Sequence, residues 1–248
     1  MADRRHFEQG GADYARHRPT YPAALAEALA ALPDRPGHAL DAGCGSGQLT
    51  RLLADHFRRV TGTDVSADQI AHAAPRPNVA YRVEPAERIA LPDRSTDLIV
   101  AAQAAHWFDL DGFYAETRRI AAPGAALALI SYGVPRLEGP AGGRFEQFYW
   151  GEIHPFWPEG RAHVEQGYAA MDFPFAETAL PPLWIERDWS LADLAGYVGT
   201  WSAVRAAAKA GREGIAAGAL ADIAAIWGDP QTEYRITWPI TGRVARLV

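Results

Sequence analysis

Acidic residues and glycines near residue 40 have the types and spacing of a ligand-binding turn. In the stretch Leu40-Asp41-Ala42-Gly43-Cys44-Gly45-Ser46-Gly47-Gln48, glycine occupies every second position from 43 to 47, and the first glycine is two residues after Asp41. Glycine adopts positive φ angles and lets a ligand come close to the backbone. The apolar spacing of the residues that follow predicts a helix, and the free N–H groups at its start would offer donors to a polar or anionic ligand.

The positions of the acids narrow the chemistry of that ligand. A dinucleotide fingerprint has the spacing Gly-x-Gly-x-x-Gly, whereas Asp41 would repel a pyrophosphate and attract an ammonium group. Asp64 ends a second predicted strand, where a carboxylate accepts hydrogen bonds from ribose hydroxyls. A ribose and an amino-acid ammonium group together describe S-adenosylmethionine.

On these residues the chain resembles the class I S-adenosylmethionine-dependent methyltransferases. Within that family it is similar to the branch that contains trans-aconitate methyltransferase and related small-molecule enzymes. The resemblance covers roughly residues 10 to 132. The motifs that carry it are residues 40–48, 62–66, 84–87 and 91–99 for the family, and residues 14–22 and 103–109 for the branch.

The resemblance implies two sets of contacts. The cofactor-binding residues are expected to be Tyr14, Arg18, Asp41, Ala42, Gly43, Cys44, Gly45, Gln48, Asp64, Val65, Ala86, Glu87 and Gln103. The residues expected to contact the methyl acceptor are His106, Trp107, Tyr132, Trp150, His154 and Trp201. No recognised spacing of metal ligands is present, so no metal is expected.

Several of these residues have alternative interpretations. His106 follows the fourth predicted strand and is the candidate general base, but it would also fit a role in shaping the pocket or in hydrogen-bonding the substrate. Glu87 would accept a hydrogen bond from the adenine, or lie in a solvated loop beside Arg88. Cys44 has no nucleophile pattern around it and is interpreted as a small packing residue.

Predicted strands alternate with predicted helices up to residue 132. This pattern predicts an α/β fold with a doubly wound, mostly parallel sheet, the Rossmann-like methyltransferase fold. Ligands bind such sheets at the carboxyl ends of the strands, which is where Asp41, Asp64, Glu87 and Gln103 fall. The predicted strands are residues 38–40, 59–64, 79–83, 97–102 and 125–132.

We expect a single methyltransferase domain over residues 1–248, with residues 10–132 as its cofactor-binding core. Residues 133–182 are rich in proline, glycine and aromatic residues, and we interpret them as an insertion that caps the carboxyl edge of the sheet. Residues 183–248 would complete the sheet, with a last strand broken around Pro239 or Gly242.

Composition limits the partners that we expect. The formal net charge is −6, which does not favour a nucleic-acid partner. The single cysteine excludes an internal disulfide and fits the reducing cytoplasm. There is no secretory pattern at the start and no apolar run near the roughly 20 residues that a membrane helix needs. We therefore expect a cytoplasmic protein without a membrane partner, and the sequence indicates no oligomeric state.

The predicted function is methyl transfer from S-adenosylmethionine to an oxygen or nitrogen atom of a small molecule, with carboxylates among the acceptors. One alternative is an S-adenosylmethionine-binding protein with other chemistry or a regulatory role. A nicotinamide oxidoreductase is opposed by Asp41 and by the glycine spacing. A methyltransferase acting on RNA or protein is opposed by the acidic balance and by the aromatic insertion.

Overall fold

A computed structural model describes residues 19–247. Within them, nine strands form one mixed sheet in the order β3-β2-β1-β4-β5-β9-β6, and β7 and β8 also pair with β9. The strands are β1 His38–Ala42, β2 Arg59–Asp64, β3 Val79–Val83, β4 Thr96–Ala102, β5 Ala121–Tyr132, β6 Arg136–Leu137, β7 Glu177–Thr178, β8 Leu183–Trp189 and β9 Tyr234–Arg246. The α-helices are α1 Ala23–Ala30, α2 Gln48–Leu53, α3 Ala67–Ala71, α4 Leu110–Ile120, α5 Gly142–Gln147, α6 Arg161–Glu165, α7 Leu191–Gly199, α8 Ser202–Lys209 and α9 Gly214–Trp227.

The parallel half of the sheet, β1 to β5, is covered on both faces, which confirms the predicted fold class. Side chains alternate across a strand, so Leu40 and Ile99 lie in one buried cluster, together with α4. Their neighbours Ala39 and Leu98 lie in the other cluster, with α1 and α2. All five residues of β1 are buried, as expected for a central parallel strand.

Hydrogen-bonding side chains set several of the helix boundaries. Ser66 Oγ accepts a hydrogen bond from the backbone N of Gln69 and starts α3, which ends at Ala71. Ser190 forms a capping box with Asp193 at the start of α7. Asp109 takes the N-cap position of α4, and Asp111 lies in its first turn.

The last strand, β9, is continuous, and the predicted break near Pro239 or Gly242 was wrong. Pro239 lies where β9 changes partners: the pairing with β8 runs through Pro239 to Ile240, and the pairing with β5 begins at Ile240. A proline at this junction is tolerated because the ladder changes there. Gly242 is needed for close approach, because a side chain there would collide with the carbonyl oxygen of Leu129.

Residues 133–182 form short elements that pack on both faces of the sheet. Phe145, Phe148 and Tyr149 join the cluster that contains α7, α8 and α9. Tyr168 and Phe173 join the cluster on the opposite face. The segment includes a π-helix, Phe148–Ile153, which follows α5 directly. No helix among residues 19–247 is both long enough and apolar enough to cross a bilayer.

Candidate functional site

The glycine turn joins β1 to α2 at the carboxyl edge of the sheet. Gly43 and Gly47 have φ angles of 70° and 80°, the left-handed region that favours glycine. A side chain at Gly43 would collide with Ala104, and one at Gly47 would collide with Tyr81. A side chain built at Gly45 would meet only Gln69, at 3.6 Å, so the outer side of the turn is open.

Asp41 is a buried acid directly beneath this turn, with 1% of its surface exposed. Thr50 Oγ1 donates a hydrogen bond to Asp41 Oδ2 at 2.6 Å. The backbone of Thr50 also hydrogen-bonds to this carboxylate. Burial, reinforced by the charge of Asp64, raises the pKa of Asp41 to about 7, and the bond from Thr50 opposes the shift.

Asp64, the last residue of β2, ties the glycine turn to the start of α3. Its Oδ2 accepts from the backbone N of Gly45 at 2.9 Å, and its Oδ1 accepts from the backbone N of Ser66 at 2.8 Å. Each carboxylate oxygen has a second lone pair, so Asp64 can accept further bonds from a ligand. Val65, the next residue, is 60% exposed and offers an apolar surface beside it.

Glu87 has a structural role that neither sequence interpretation included. Its Oε1 accepts a hydrogen bond from the backbone N of Asp109 at 2.9 Å, and its side chain lies against Gly112. Glu87 therefore holds the start of α4, although its Oε2 has no hydrogen-bond partner among residues 19–247. The preceding Ala86 is buried.

Gln103 and Tyr168 are two of the three described non-glycine residues with positive φ, at 55° and 66°. Such conformations cost free energy and occur often at functional sites. Gln103 follows β4, and its Nε2 donates to the carbonyl oxygen of Tyr132 at 3.0 Å. Tyr168 is fully buried, and its hydroxyl is 3.1 Å from Nδ1 of His106. Both unusual backbones therefore lie around the carboxyl end of β4.

His106 is enclosed and neutral. Burial, followed by the nearby His163 and Arg161, lowers its pKa to about 4, well below the ordinary value of about 6.5 for a solvated histidine. The ring centroid of Trp107 is 4.9 Å from that of His106, and Trp107 is 41% exposed. The imidazole therefore carries no charge at physiological pH.

Comparison with known proteins shows the family to which this chain belongs. Residues 40–129 match the family model of a methyltransferase domain. A candidate methyltransferase of Dictyostelium discoideum is 34% identical over 206 residues, which are 82% of this chain and 78% of that protein. The solved structure of a candidate type II methyltransferase from Anaeromyxobacter dehalogenans is 44% identical, covers 92% of this chain and 97% of that chain, and has a TM-score of 0.87. The chain belongs to the S-adenosylmethionine-dependent methyltransferases.

The site of this methyltransferase fits its cofactor, S-adenosylmethionine. Asp41 presents a buried carboxylate with a raised pKa, and a nearby ammonium group would restore its charged form. Asp64 presents spare lone pairs at the end of the neighbouring strand. The Tyr81 hydroxyl beside Gly47 is buried without a hydrogen-bond partner in the described chain, so a polar group at the turn remains unsatisfied.

Three further residues that were predicted to bind the cofactor, Ala42, Cys44 and Gln48, lie in the glycine turn or at its two ends. Ala42 is the buried end of β1, and Gln48 is the first residue of α2. Cys44 packs against Gly62, and burial raises the pKa of its thiol, which agrees with a packing residue. Tyr14 and Arg18 lie outside the described residues.

The predicted acceptor residues fall into two groups. His106, Trp107 and Tyr132 lie with Gln103 around the carboxyl ends of β4 and β5. The other three belong to an aromatic cluster around Tyr149: Trp150, His154 and Trp201 have ring centroids 5.0, 6.3 and 5.6 Å from that of Tyr149. Trp201 is 1% exposed and serves the core, whereas Trp150 is 48% exposed.

Sequence reasoning missed Tyr149, Arg161, His163 and Tyr168, which lie between or beside these two groups. They come from the π-helix, from α6 and from the turn that follows α6. The sequence carries no motif for any of them, and only Gly167 before Tyr168 marks an unusual backbone.

Two open clefts on the methyltransferase lie away from this edge. One, of about 690 Å³, is lined by Arg35, His38, Arg59 and Asp97 at the amino ends of the strands. There Asp97 accepts from the backbone N of His38 and from Nε of Arg35, both at 2.8 Å, so it is a hydrogen-bond acceptor at this end of the sheet. The other, of about 470 Å³, lies between Arg144 and α9. Within residues 19–247 no cluster of three or more His, Cys, Asp or Glu side chains could hold a metal.

Proposed function

We propose that this methyltransferase transfers the methyl group of S-adenosylmethionine to an oxygen or nitrogen atom of a small molecule, with a carboxylate as the favoured acceptor. The cofactor supplies a methyl group that its sulfonium already activates. The carboxylate of Asp41 would bind the ammonium group, and Asp64 would bind the ribose hydroxyls. The protein's part is then to hold the acceptor in line, which can supply about 7–11 kcal/mol of the barrier.

The choice of acceptor rests on the half-buried His106, whose imidazole is neutral. A phenol has a pKa of about 10, so proton transfer to an imidazole whose pKa is about 4 is uphill by about 6 units, or about 8 kcal/mol. A carboxylic acid is already ionised at neutral pH and needs no base. His106, hydrogen-bonded to Tyr168, would therefore orient the acceptor and shape its pocket instead of removing a proton.

The surroundings of His106 support a small acceptor. The buried Tyr168 lies beside it and is within hydrogen-bond distance of Nδ1. The start of α6 also lies beside it, because a side chain built at the N-cap residue Gly160 would be 3.5 Å from the imidazole Cδ2. Tyr132 and Tyr149 belong to the buried cluster on the other face of the sheet, and Arg161, which donates to the Tyr149 hydroxyl, is near enough to His106 to lower the pKa of the imidazole. Walls of this kind enclose an apolar ligand with a few polar groups.

The experiment is a methyl-transfer assay with matched acceptors. The protein is incubated with S-adenosylmethionine and a panel of carboxylic acids, phenols and amines of equal carbon skeleton. S-adenosylhomocysteine release and product mass are measured, and Asp41→Asn serves as the variant impaired in cofactor binding. Methyl esters as the main products support the proposal. Methylation of phenols or amines alone would overturn the carboxylate preference, and methylation of none would overturn the small-molecule function.

A further inference from the structure

Arg161 is a largely buried cation close to the acceptor side of the site. Its side chain is 15% exposed on α6. The neighbouring Gly160 lies against the ring of His106, and the charge of Arg161 helps to lower the pKa of that imidazole. Arg161 therefore lies near His106 and close to where the acceptor is expected.

The guanidinium group is held on one edge and one face. Its Nε and Nη2 donate to the hydroxyl of Tyr149 at 3.0 and 2.6 Å. Its Cζ is 4.5 Å from the ring centroid of Trp157, a cation–π contact. Nη1 has no hydrogen-bond partner among residues 19–247. The orientation of the group is therefore fixed while donors remain free.

The acid nearest to Arg161 is already shared. Glu165 Oε1 is 3.4 Å from Arg161 Nε and accepts the Tyr149 hydroxyl at 2.7 Å, while Oε2 lies 3.3 Å from Nε2 of His154. Arg144 shows a contrast in charge: its side chain is 16% exposed, and it faces two carboxylates, Glu152 at 2.7 Å and Asp222 at 3.0 Å, although its Nη1 has no hydrogen-bond partner within the described chain. Arg161 faces only the shared carboxylate of Glu165 within residues 19–247, so its charge is less fully neutralised.

Other polar atoms in the same region lack partners. The indole nitrogens of Trp157 and Trp201 are buried without a hydrogen bond within the described chain, and the two rings are 5.5 Å apart. Nδ1 of His163, two residues after Arg161, is also buried and unpartnered within that part of the chain. Each such group costs about 1–3 kcal/mol when buried without a partner. Their grouping around a partly free cation points to a ligand that carries hydrogen-bond acceptors.

We propose that Arg161 binds an anionic oxygen group of the methyl acceptor, a carboxylate in the first instance, that is distinct from the reacting atom, and that Tyr149 positions Arg161 for this contact. The inference rests on the proposed function. A guanidinium group matches the plane and the two oxygens of a carboxylate. Hydrogen bonds from the guanidinium group make the bound carboxylate oxygens weaker nucleophiles. The methylated atom would therefore lie elsewhere on the acceptor, beside His106. The pocket would thus take a molecule with one anchored anion and one nucleophilic atom.

The test measures binding without turnover, so it is independent of the assay for methyl transfer. The protein saturated with S-adenosylhomocysteine is titrated by calorimetry and tryptophan fluorescence with glutarate, 3-phenylpropionate and their amides. We expect at least one of the two acids to bind about tenfold or more tightly than its neutral amide. Arg161→Met should abolish this preference, and Arg161→Lys should restore part of it because it keeps the charge.

Matched variants separate recognition from folding. Arg144→Met removes an equally enclosed cation and should leave the preference for acids unchanged. Tyr149→Phe should keep the preference for acids over amides but reduce the discrimination between 3-phenylpropionate and 2-phenylethylphosphonate, because the guanidinium plane is no longer fixed. Equal binding of acids and amides by the wild type, or an unchanged preference in a folded Arg161→Met protein, would overturn the proposal. If acids bind selectively but nothing is methylated, the proposed function fails and the Arg161 site stands.

Discussion

The buried carboxyl of Asp41 should make cofactor affinity depend on pH. Its pKa is raised from 3.8 to about 7, so without cofactor about half of the molecules carry a proton there at pH 7. The ammonium group of S-adenosylmethionine requires the ionised form. Below pH 7 binding must therefore expel the proton, and affinity should fall about tenfold for each pH unit while remaining level above pH 8.

The same group should act in the opposite sense on the stability of the free protein. The folded-state pKa lies above the unfolded value, so between pH 3.8 and about 7 the folded state binds more protons than the unfolded state. Stability from this group is present at low pH and is lost as pH rises through that window. A shift of about 3 units corresponds to about 4 kcal/mol at full ionisation. Asp41→Asn cannot ionise, and it should be more stable than the wild type at pH 8 without cofactor.

Calorimetry with S-adenosylhomocysteine measures both effects. Titrations at pH 6, 7 and 8 in two buffers of different ionisation enthalpy give the proton count. We expect release of close to one proton at pH 6, almost none at pH 8, and no pH dependence from this group in Asp41→Asn, whose affinity should be at least about tenfold weaker. Thermal melts of the free proteins give the stability. Binding at pH 6 without proton release, or an asparagine variant no more stable than wild type at pH 8, would refute the reasoning.

Three further changes test other parts of the site. Asp64→Ala should weaken S-adenosylhomocysteine binding by about tenfold or more and also lower the melting temperature, because the backbone N–H groups of Gly45 and Ser66 lose their acceptor; Asp64→Asn should retain part of both, and an unchanged affinity in the alanine variant would contradict the ribose role. At saturating cofactor, His106→Gln should keep near-normal turnover, and the wild-type turnover should be level from pH 5 to 8 because its imidazole stays neutral above about pH 4; a loss of about 10²-fold or more in the variant would indicate base catalysis instead. Exchange of residues 133–182 for the same segment of a relative should change acceptor choice, measured over the acid and phenol panel, and leave cofactor affinity within a few fold; loss of that affinity in a folded chimera would assign the segment to the cofactor site.

The cofactor half of the molecule was predictable because its signals are local. Strands β4 and β5 contain apolar runs, and the turn after β1 shows its three glycines at alternate positions within five residues. The acids Asp41 and Asp64 follow directly from where β1 and β2 end. Pairing of β1 with β2 then brings the two acids to one edge without further information.

The acceptor half was less predictable because its contacts join distant parts of the chain. Tyr168 reaches His106 across 62 positions of sequence, and no motif links the two residues. Arg161 looks like any surface arginine in the sequence, and only packing against Trp157 and Tyr149 makes it an enclosed cation. Pro239 gave a misleading break, because the change of partners along β9 cannot be read from local propensity.

Strand β9 has a consequence for how the site forms and opens. It pairs with β5, β6, β7 and β8, and its contacts span long stretches of chain, as between Ala126 and Arg246. Contacts of this kind form late, because a large loop must close first. The parallel sheet can therefore assemble before the acceptor side has any shape. Amide protons of β6, β8 and β9 should exchange with solvent as one cooperative unit, at a lower opening free energy than those of β1 and β4.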